Sequence, residues 1–219
     1  MNKFTGFYEL KTLNIPTVPW KIFTPETQLD KDLLWTVRVA TVAGDDLNLP
    51  RAVGVDHAEA RNKGISFLEE YRDKGIVIYY PYFIAQKSGV LDINRHRTVI
   101  EAVDRDLWNL VTYGRKNVTA IIPAENSRIS ASQKGCSVHA ARIPFESMTV
   151  TGDESFLTAD EICELMGYGA VIRSRFRNDI TEGYSILAEW SYAYNTGLHM
   201  KPSGSRYLVF YELRGVRSF

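Results

Sequence analysis

Cysteine is scarce: Cys136 and Cys163 are the only two in 219 residues. Two thiols cannot build a disulfide framework, and they show no metal-ligand spacing. They read as reduced thiols of a cytoplasmic protein. An excess of one charge is missing too. Lysine plus arginine and aspartate plus glutamate both number 26. The chain as a whole therefore offers no field for nucleic acid or for an anionic membrane surface, although a local basic cleft stays open. No apolar run is long enough to span a bilayer. The polar, mixed opening MNKFTGFYEL is not that of a signal peptide. Internal repeats and low-complexity stretches are absent. What remains, 45% hydrophobic and 24% charged residues, is an ordinary soluble globular composition. The length suits one large domain or two closely packed lobes.

The pattern along the chain alternates helices and hairpins without regular βαβ repetition, which favours α+β over a doubly wound sheet. FTGFYELKTLNIPTVPWKIFT reads as a short helix, a turn at Asn14-Ile15-Pro16 and a strand through Trp20 to Thr24. DLLWTVRVAT is a second strand. VDHAEARNKGISFLEEYRDKG is helical, with Asp56 as its cap, Glu59 three residues on and Gly75 as its closing glycine. IVIYYPYFIA, SGVLDI, RTVIEAV and LWNLVTYG are short β-rich runs, expected as hairpins of one sheet. Residues 124–154 are ambiguous, polar at first and then weakly β-like. Thr158-Ala159-Asp160-Glu161 is a capping box opening the helix ICELMGYGAVIRSRF. Two strands, YSILAEWSYAYN and RYLVFYELRGV, close the chain around the loop TGLHMKPSGS.

Charged residues inside apolar strands carry the chemistry. Arg38 lies in LLWTVRVAT, where a lone cation is costly unless an anion meets it. That anion is either a ligand phosphate or a carboxylate such as Asp45 or Asp46. Glu189 sits in ILAEW, and Glu212 and Arg214 lie two positions apart, hence on one face, in VFYELR. If the last two strands pair, two carboxylates and an arginine converge. Such a group suits Mg²⁺ with a polyphosphate, or it is simply strand carboxylates facing solvent or paired with a nearby arginine. Tyr79, Tyr80, Tyr82 and Phe83 can wall an adenine pocket or pack the core. Asp92 and Glu101 fit either a cleft or the surface. His57, His96 and His199 show no ligand spacing.

Five segments, taken in order, resemble the N-terminal ATP-binding domain of the phosphoenolpyruvate synthase, pyruvate phosphate dikinase and rifampin phosphotransferase family. NKFTGFYELKTLNIPTVPWKIFT resembles the family's opening lysine, helix and Pro-marked strand. WTVRVATVAGDDLNLPRAVG resembles its Val-Arg-Ser-Ser-Ala segment and the acidic stretch behind it. VIYYPYFIAQKSGVLDI resembles the strand beside the adenine and its Ser-Gly-Val turn. TVIEAVDRDLWNLVTYG resembles an Ile-Glu segment with a Leu-Val-x-Gly strand. LTADEICEL, LAEW and FYELR resemble the penultimate helix, an Ile-Glu-Trp strand and a Gln-x-Arg-Pro strand.

The resemblance implies an ATP-grasp-like α+β fold of two lobes, about 1–75 and about 76–219, clasping a nucleotide. It implies ATP and Mg²⁺ as cofactors. Lys3, Arg38, Gly54, Tyr80, Phe83, Glu189, Glu212 and Arg214 would form the nucleotide site, with Arg38 and Arg214 acting on the transferred phosphate and Glu189 and Glu212 on the metal. The activity implied is phosphoryl transfer to an unknown acceptor, which can be a small molecule, a separate carrier protein or water. An ATP-activating ligase would use the same cleft. A reduced domain that binds nucleotide without turnover is the alternative, and a scaffold without nucleotide is a third reading. The chain departs from the family pattern at several points. Val39 and Ala40 replace two serines, Glu212 replaces a glutamine, and Gly215 replaces a proline. The swivelling phosphohistidine domain and the pyruvate-binding barrel have no counterpart. KGCSVHAAR echoes the phosphohistidine motif at His139, but it lies inside the ATP-binding region and is too short to form a domain.

Overall fold

The structure is a computed structural model that describes residues 1–43, 49–124 and 148–217. Two antiparallel sheets face each other, with helices at their joint and on their outer faces. This is an α+β arrangement.

The first sheet has the order β1 (Lys21–Ile22), β4 (Gly75–Pro81), β2 (Trp35–Thr41), β3 (Arg51–Val55). Alternation along β2 divides its side chains. Trp35, Val37 and Val39 join Phe23, Ala60, Phe67 and Val77 in a core under α2 (His57–Tyr71). Ala40, with Ile78 and Tyr80 of β4, joins a second core on the other face. Helix α2 starts as its sequence dictates: the Asp56 carboxylate accepts from the amides of Ala58 and Glu59. Its end differs from the expectation. The helix stops before Arg72, and Gly75 instead opens β4. A Cβ at Gly75 would collide with the Ala40 carbonyl, so this glycine serves close strand packing.

The second sheet has the order β10 (Pro202–Arg217), β9 (Tyr184–Thr196), β5 (Phe83–Ile93), β6 (Arg97–Asp104), β7 (Val118–Pro123), β8 (Thr149–Gly152). Its outer face packs on α4 (Ala159–Arg175) and α5 (Arg177–Thr181), with Leu91, Ile100, Leu165, Ile172, Trp190 and Phe210 in the largest core. Helix α4 opens on the expected capping box, formed in both directions between Thr158 and Glu161. No helix among the described residues is long and apolar enough to cross a membrane.

Three further expectations are corrected. IVIYYPYFIA is not one strand: the chain crosses between the sheets at Tyr82, whose amide bonds the Leu34 carbonyl. The first sheet thus runs to Pro81. LWNLVTYG is not β but helix α3 (Trp108–Tyr113). The Asp106 carboxylate accepts from the Trp108 amide at 2.7 Å, Gly114 closes the helix at φ 61°, and Leu107 and Leu110 share the buried side. The closing loop is also shorter than expected, because β9 extends to Thr196 and β10 begins at Pro202.

Helix α1 (Lys3–Thr12) wedges into the joint between the sheets, packing mainly on β10. Asn2 caps it by accepting from the Thr5 amide, and the Asn2 side-chain amide donates to Val42 O at 2.6 Å. The start of α1 is thereby tied to the end of β2. Gly6 lets the helix lie directly on β10, since a Cβ there would meet the Leu213 carbonyl oxygen.

Candidate functional site

The two sheets and α1 enclose a cleft of about 830 Å³. Four elements bring its central charges. Lys3 comes from the first turn of α1, Arg38 from the middle of β2, and Glu189, Glu212 and Arg214 from the paired strands β9 and β10.

The placement of Glu212 depends on a bulge. In β10, Leu208 and Phe210 point into the core under α4, so strict alternation would send Glu212 the same way. The pairing instead slips between Phe210 and Glu212: Phe210 faces Trp190, while Glu212 faces Glu189. Tyr211 is the extra residue, and beyond it the strand is inverted. Glu212 and Arg214 then line the cleft beside Tyr211, while Leu213 enters the core. The slip lies where a third segment joins. Val18 donates to the Phe210 carbonyl, and the Phe210 amide donates to the Pro16 carbonyl. The Pro-marked turn after α1 therefore bonds β10 at the bulge.

Glu212 is the hub of the charges. Arg38 Nη2 donates to its Oε2 at 2.6 Å, and Lys3 Nζ lies 3.2 Å from its Oε1. Arg38 and Glu212 are both buried, at 8% and 2% exposure. Burial works against the charge of each, yet each outweighs it in the other. Arg38 is held above its ordinary pKa chiefly by Glu212, and Glu212 below the usual carboxylate range by Arg38 and then Lys3. The pair is therefore ionised at neutral pH. The Arg38 guanidinium also lies 5.3 Å from the centre of the Phe7 ring. Arg38 was open to a ligand phosphate or to a carboxylate such as Asp45 or Asp46. The carboxylate it meets is Glu212, and both aspartates lie outside the described residues.

Glu189, directly across from Glu212, differs in kind. It makes no hydrogen bond or ion pair within 4 Å among the described residues. Desolvation, then the nearby Glu212 carboxylate, pushes its pKa up to about 7 against the pull of Arg38, Lys3 and Arg214. The Nε of Arg214 is buried and has no hydrogen-bond partner among the described residues. An unpartnered carboxylate and an unpartnered guanidinium nitrogen thus face the same space.

Around these charges the cleft wall is aromatic. Tyr80, Tyr82, Phe83 and Tyr211 line it. The Tyr82 and Phe83 rings are parallel at 9° with centroids 6.4 Å apart, and Phe83 meets Tyr211 at 5.7 Å. Burial raises the phenol pKa of both Tyr80 and Tyr211. Tyr79 faces the opposite side and packs on Phe23 and Trp35. Gly54 does not itself line the cleft. It adopts φ 68°, and a Cβ there would press on the Tyr82 ring, so it shapes the wall from behind.

Several residues of the cleft went unmarked in the sequence. Arg51 and Trp108 meet across the mouth, the guanidinium 4.2 Å from the ring centre, joining β3 to α3. Arg105, with φ 58°, stands on the rim. Ser88 and Ser191 share a buried hydrogen bond of 2.8 Å on the cleft face. None of these positions carries a sequence signal, because each depends on which face a strand or turn presents after folding. Asp92 and Glu101 lie away from the cleft; Glu101 pairs with Lys116 at 2.5 Å. His96 and His199 are exposed and His57 is half-buried. His139 and Cys136 lie outside the described residues, and Cys163 is a free thiol. Among the described residues no three histidine, cysteine or carboxylate side chains form a metal cluster. Among the described residues, a cation held across β9 and β10 would draw on Glu189 and Glu212, Asp106 being the other carboxylate that lines the cleft, with oxygens of a bound ligand completing its shell.

No family model matches the chain, and no curated protein matches it.

Proposed function

We propose that the protein is an ATP- and Mg²⁺-dependent phosphotransferase of ATP-grasp-like fold, related to the nucleotide-binding part of phosphoenolpyruvate synthase-type enzymes. One observation carries this reading. Lys3, Arg38, Glu189, Glu212 and Arg214 come from three distant parts of the chain and converge on one cleft with an aromatic wall. Cations for phosphate, paired carboxylates for a divalent ion and rings for a purine are what a metal–nucleotide complex requires.

Each residue has a stated part. Tyr80, Tyr82 and Phe83 would hold the base, with Gly54 behind Tyr82. Arg214, whose Nε has no other partner, would bind a phosphate oxygen, as would Lys3 and Arg38. Glu189 and Glu212 would hold Mg²⁺, which neutralises charge on the transferred phosphoryl group when bound. These side chains fix geometry and charge; the nucleophile comes from the acceptor, a small molecule, a separate carrier protein or water. A carboxylate acceptor would make the reaction that of an ATP-activating ligase.

A second reading is nucleotide binding without turnover. Ala40 favours it, because this position, two residues beyond Arg38 and on the same face of β2, has no hydroxyl to offer a phosphate.

The test is equilibrium titration with ATP and a non-hydrolysable analogue in Mg²⁺, on the native protein and on Arg214→Met. The native protein is expected to bind. The variant should lose about tenfold to a hundredfold in affinity, the effect of one charge-assisted hydrogen bond, while melting normally. Absence of binding at millimolar nucleotide would overturn both readings. Binding without phosphate release or transfer to any acceptor would leave the second.

A further inference from the structure

Glu212 occupies the cations that the proposed phosphotransfer site needs for its phosphates. Its two carboxylate oxygens face Arg38 at 2.6 Å and Lys3 at 3.2 Å, with one basic group on each oxygen. It has nowhere else to go. The residue is 2% exposed, its strand neighbours Tyr211 and Leu213 are buried, and β10 is held on both sides at this point, by β9 and by the residue 16–18 segment. Across from it stands Glu189, a carboxylate with no ion-pair partner of its own among the described residues.

An incoming polyphosphate with no metal would therefore meet cations that are already neutralised. It would also bring negative charge beside a solvent-shielded carboxylate that cannot turn away, where repulsion is weakly screened. A divalent cation changes this balance. Held between Glu189 and Glu212, it offsets both carboxylates and frees Arg38 and Lys3 to face phosphate oxygens.

We propose that Glu212 is a specificity-determining residue that makes the cleft select metal-bound over metal-free polyphosphate, by neutralising Arg38 and Lys3 until a divalent cation draws on its charge. The ligand class is a nucleoside triphosphate in its Mg²⁺ complex, and this inference rests on the proposed nucleotide site. Metal and nucleotide then bind with positive coupling, each raising the affinity for the other by the same factor.

The experiment is calorimetric titration of the full chain with a non-hydrolysable ATP analogue, in Mg²⁺ and in EDTA, for the native protein and Glu212→Gln. The native protein should bind at least about thirtyfold tighter with Mg²⁺. In Glu212→Gln, metal-free binding should strengthen by about tenfold and the Mg²⁺ preference should fall below about threefold. A variant that keeps the native preference, or loses metal-free binding further, overturns the proposal. So does a native protein that binds equally well in EDTA, although the nucleotide site then stands. A native protein that binds in neither condition overturns the nucleotide reading itself. If Glu212→Gln does not fold, Glu212→Asp serves in its place. It keeps the charge but shortens its reach toward Arg38, and its preference should fall between those of the other two. An unchanged preference in Glu212→Asp counts against the proposal.

Discussion

Arg38 and Glu212, 174 positions apart in the chain, meet at 2.6 Å in a buried ion pair that joins the two sheets. The bond ties β2 of the four-stranded sheet to β10 of the six-stranded one, and Lys3 brings α1 to the same carboxylate.

A pair of this kind costs more to break than to do without. Arg38→Met leaves Glu212 buried beside Lys3 alone and should cost about 3–5 kcal/mol. The double change Arg38→Met with Glu212→Leu should recover most of that loss. Urea unfolding of the two variants and the native protein checks this. Additive losses in the double variant would show that the pair is not the source of the cost.

Glu189 should make metal-free stability fall as pH rises. Its folded pKa is about 7, above the ordinary glutamate value of 4.5, so the folded state binds the proton more tightly than the unfolded one. Stability from this group is full below the unfolded pKa and is lost as pH rises to about 7. Glu189→Gln should therefore melt close to the native protein at pH 4.5 and be more stable at pH 8. The gain should be on the order of 1–2 kcal/mol, discounted for water in the cleft. Thermal melts across this range in EDTA are the measurement, and a constant difference would contradict the assignment.

Glu161 should behave in the opposite sense. Its buried carboxylate accepts from Lys87 at 2.8 Å, from Arg206 at 2.7 Å and from the Thr158 amide at 2.8 Å. Burial opposes ionisation, but these donors, Lys87 first, hold its pKa below the usual value. This stabilisation is present above the ordinary glutamate pKa and is lost as pH falls through the depressed one. Glu161→Gln keeps an amide acceptor for the cap but leaves two cations facing a neutral group. It should cost about 2–4 kcal/mol at pH 7 and progressively less toward acid. Melts at pH 7 and in acid would expose an error if the cost did not shrink.

Gly6→Ala should be more damaging than a helix position suggests. Elsewhere alanine stabilises a helix by about 0.5–1 kcal/mol over glycine. Here the Cβ runs into the Leu213 carbonyl, so α1 must lift off β10 and take Lys3 with it. A net loss of about 2 kcal/mol or more is expected in urea unfolding, as for other overpacked positions. A gain in stability would mean that α1 does not sit against β10 as described.

Trp108 should report on the mouth of the cleft. It is 42% exposed, whereas Trp20, Trp35 and Trp190 are at most 7% exposed. Trp108→Phe should therefore remove most of the acrylamide-quenchable fluorescence. Arg51→Ala should make the remaining Trp108 signal more quenchable by removing the guanidinium from its ring. Quenching that persists in Trp108→Phe would place an exposed indole elsewhere.

Much of the fold was legible locally. Asp56 and the Thr158–Glu161 box set the starts of α2 and α4 through hydrogen bonds within a few residues, and sequence displays such contacts directly. The last two strands were legible as strands; their pairing, a condition in the sequence, is antiparallel in the structure. What misled were features settled by packing. Gly75 matched a helix stop but served strand packing against Ala40. LWNLVTYG looked β-rich, yet the Asp106 carboxylate on the Trp108 amide and the left-handed Gly114 enclose a helical turn.

The sequence by itself determined which charges lie inside apolar strands: Arg38, Glu189, Glu212 and Arg214. A buried charge needs a partner, and that requirement is visible in one dimension. The partner is not. Only the tertiary structure decided that Arg38 meets Glu212, 174 positions along the chain. Only it decided that Glu212 faces the cleft at all. Alternation from Phe210 sends Glu212 into the core, and the bulge at Tyr211, where residues 16–18 bond β10, turns it back. A one-residue slip inverts every side chain beyond it. The slip falls where two hydrogen bonds join Phe210 to Pro16 and Val18, far away in the chain, which no local pattern records.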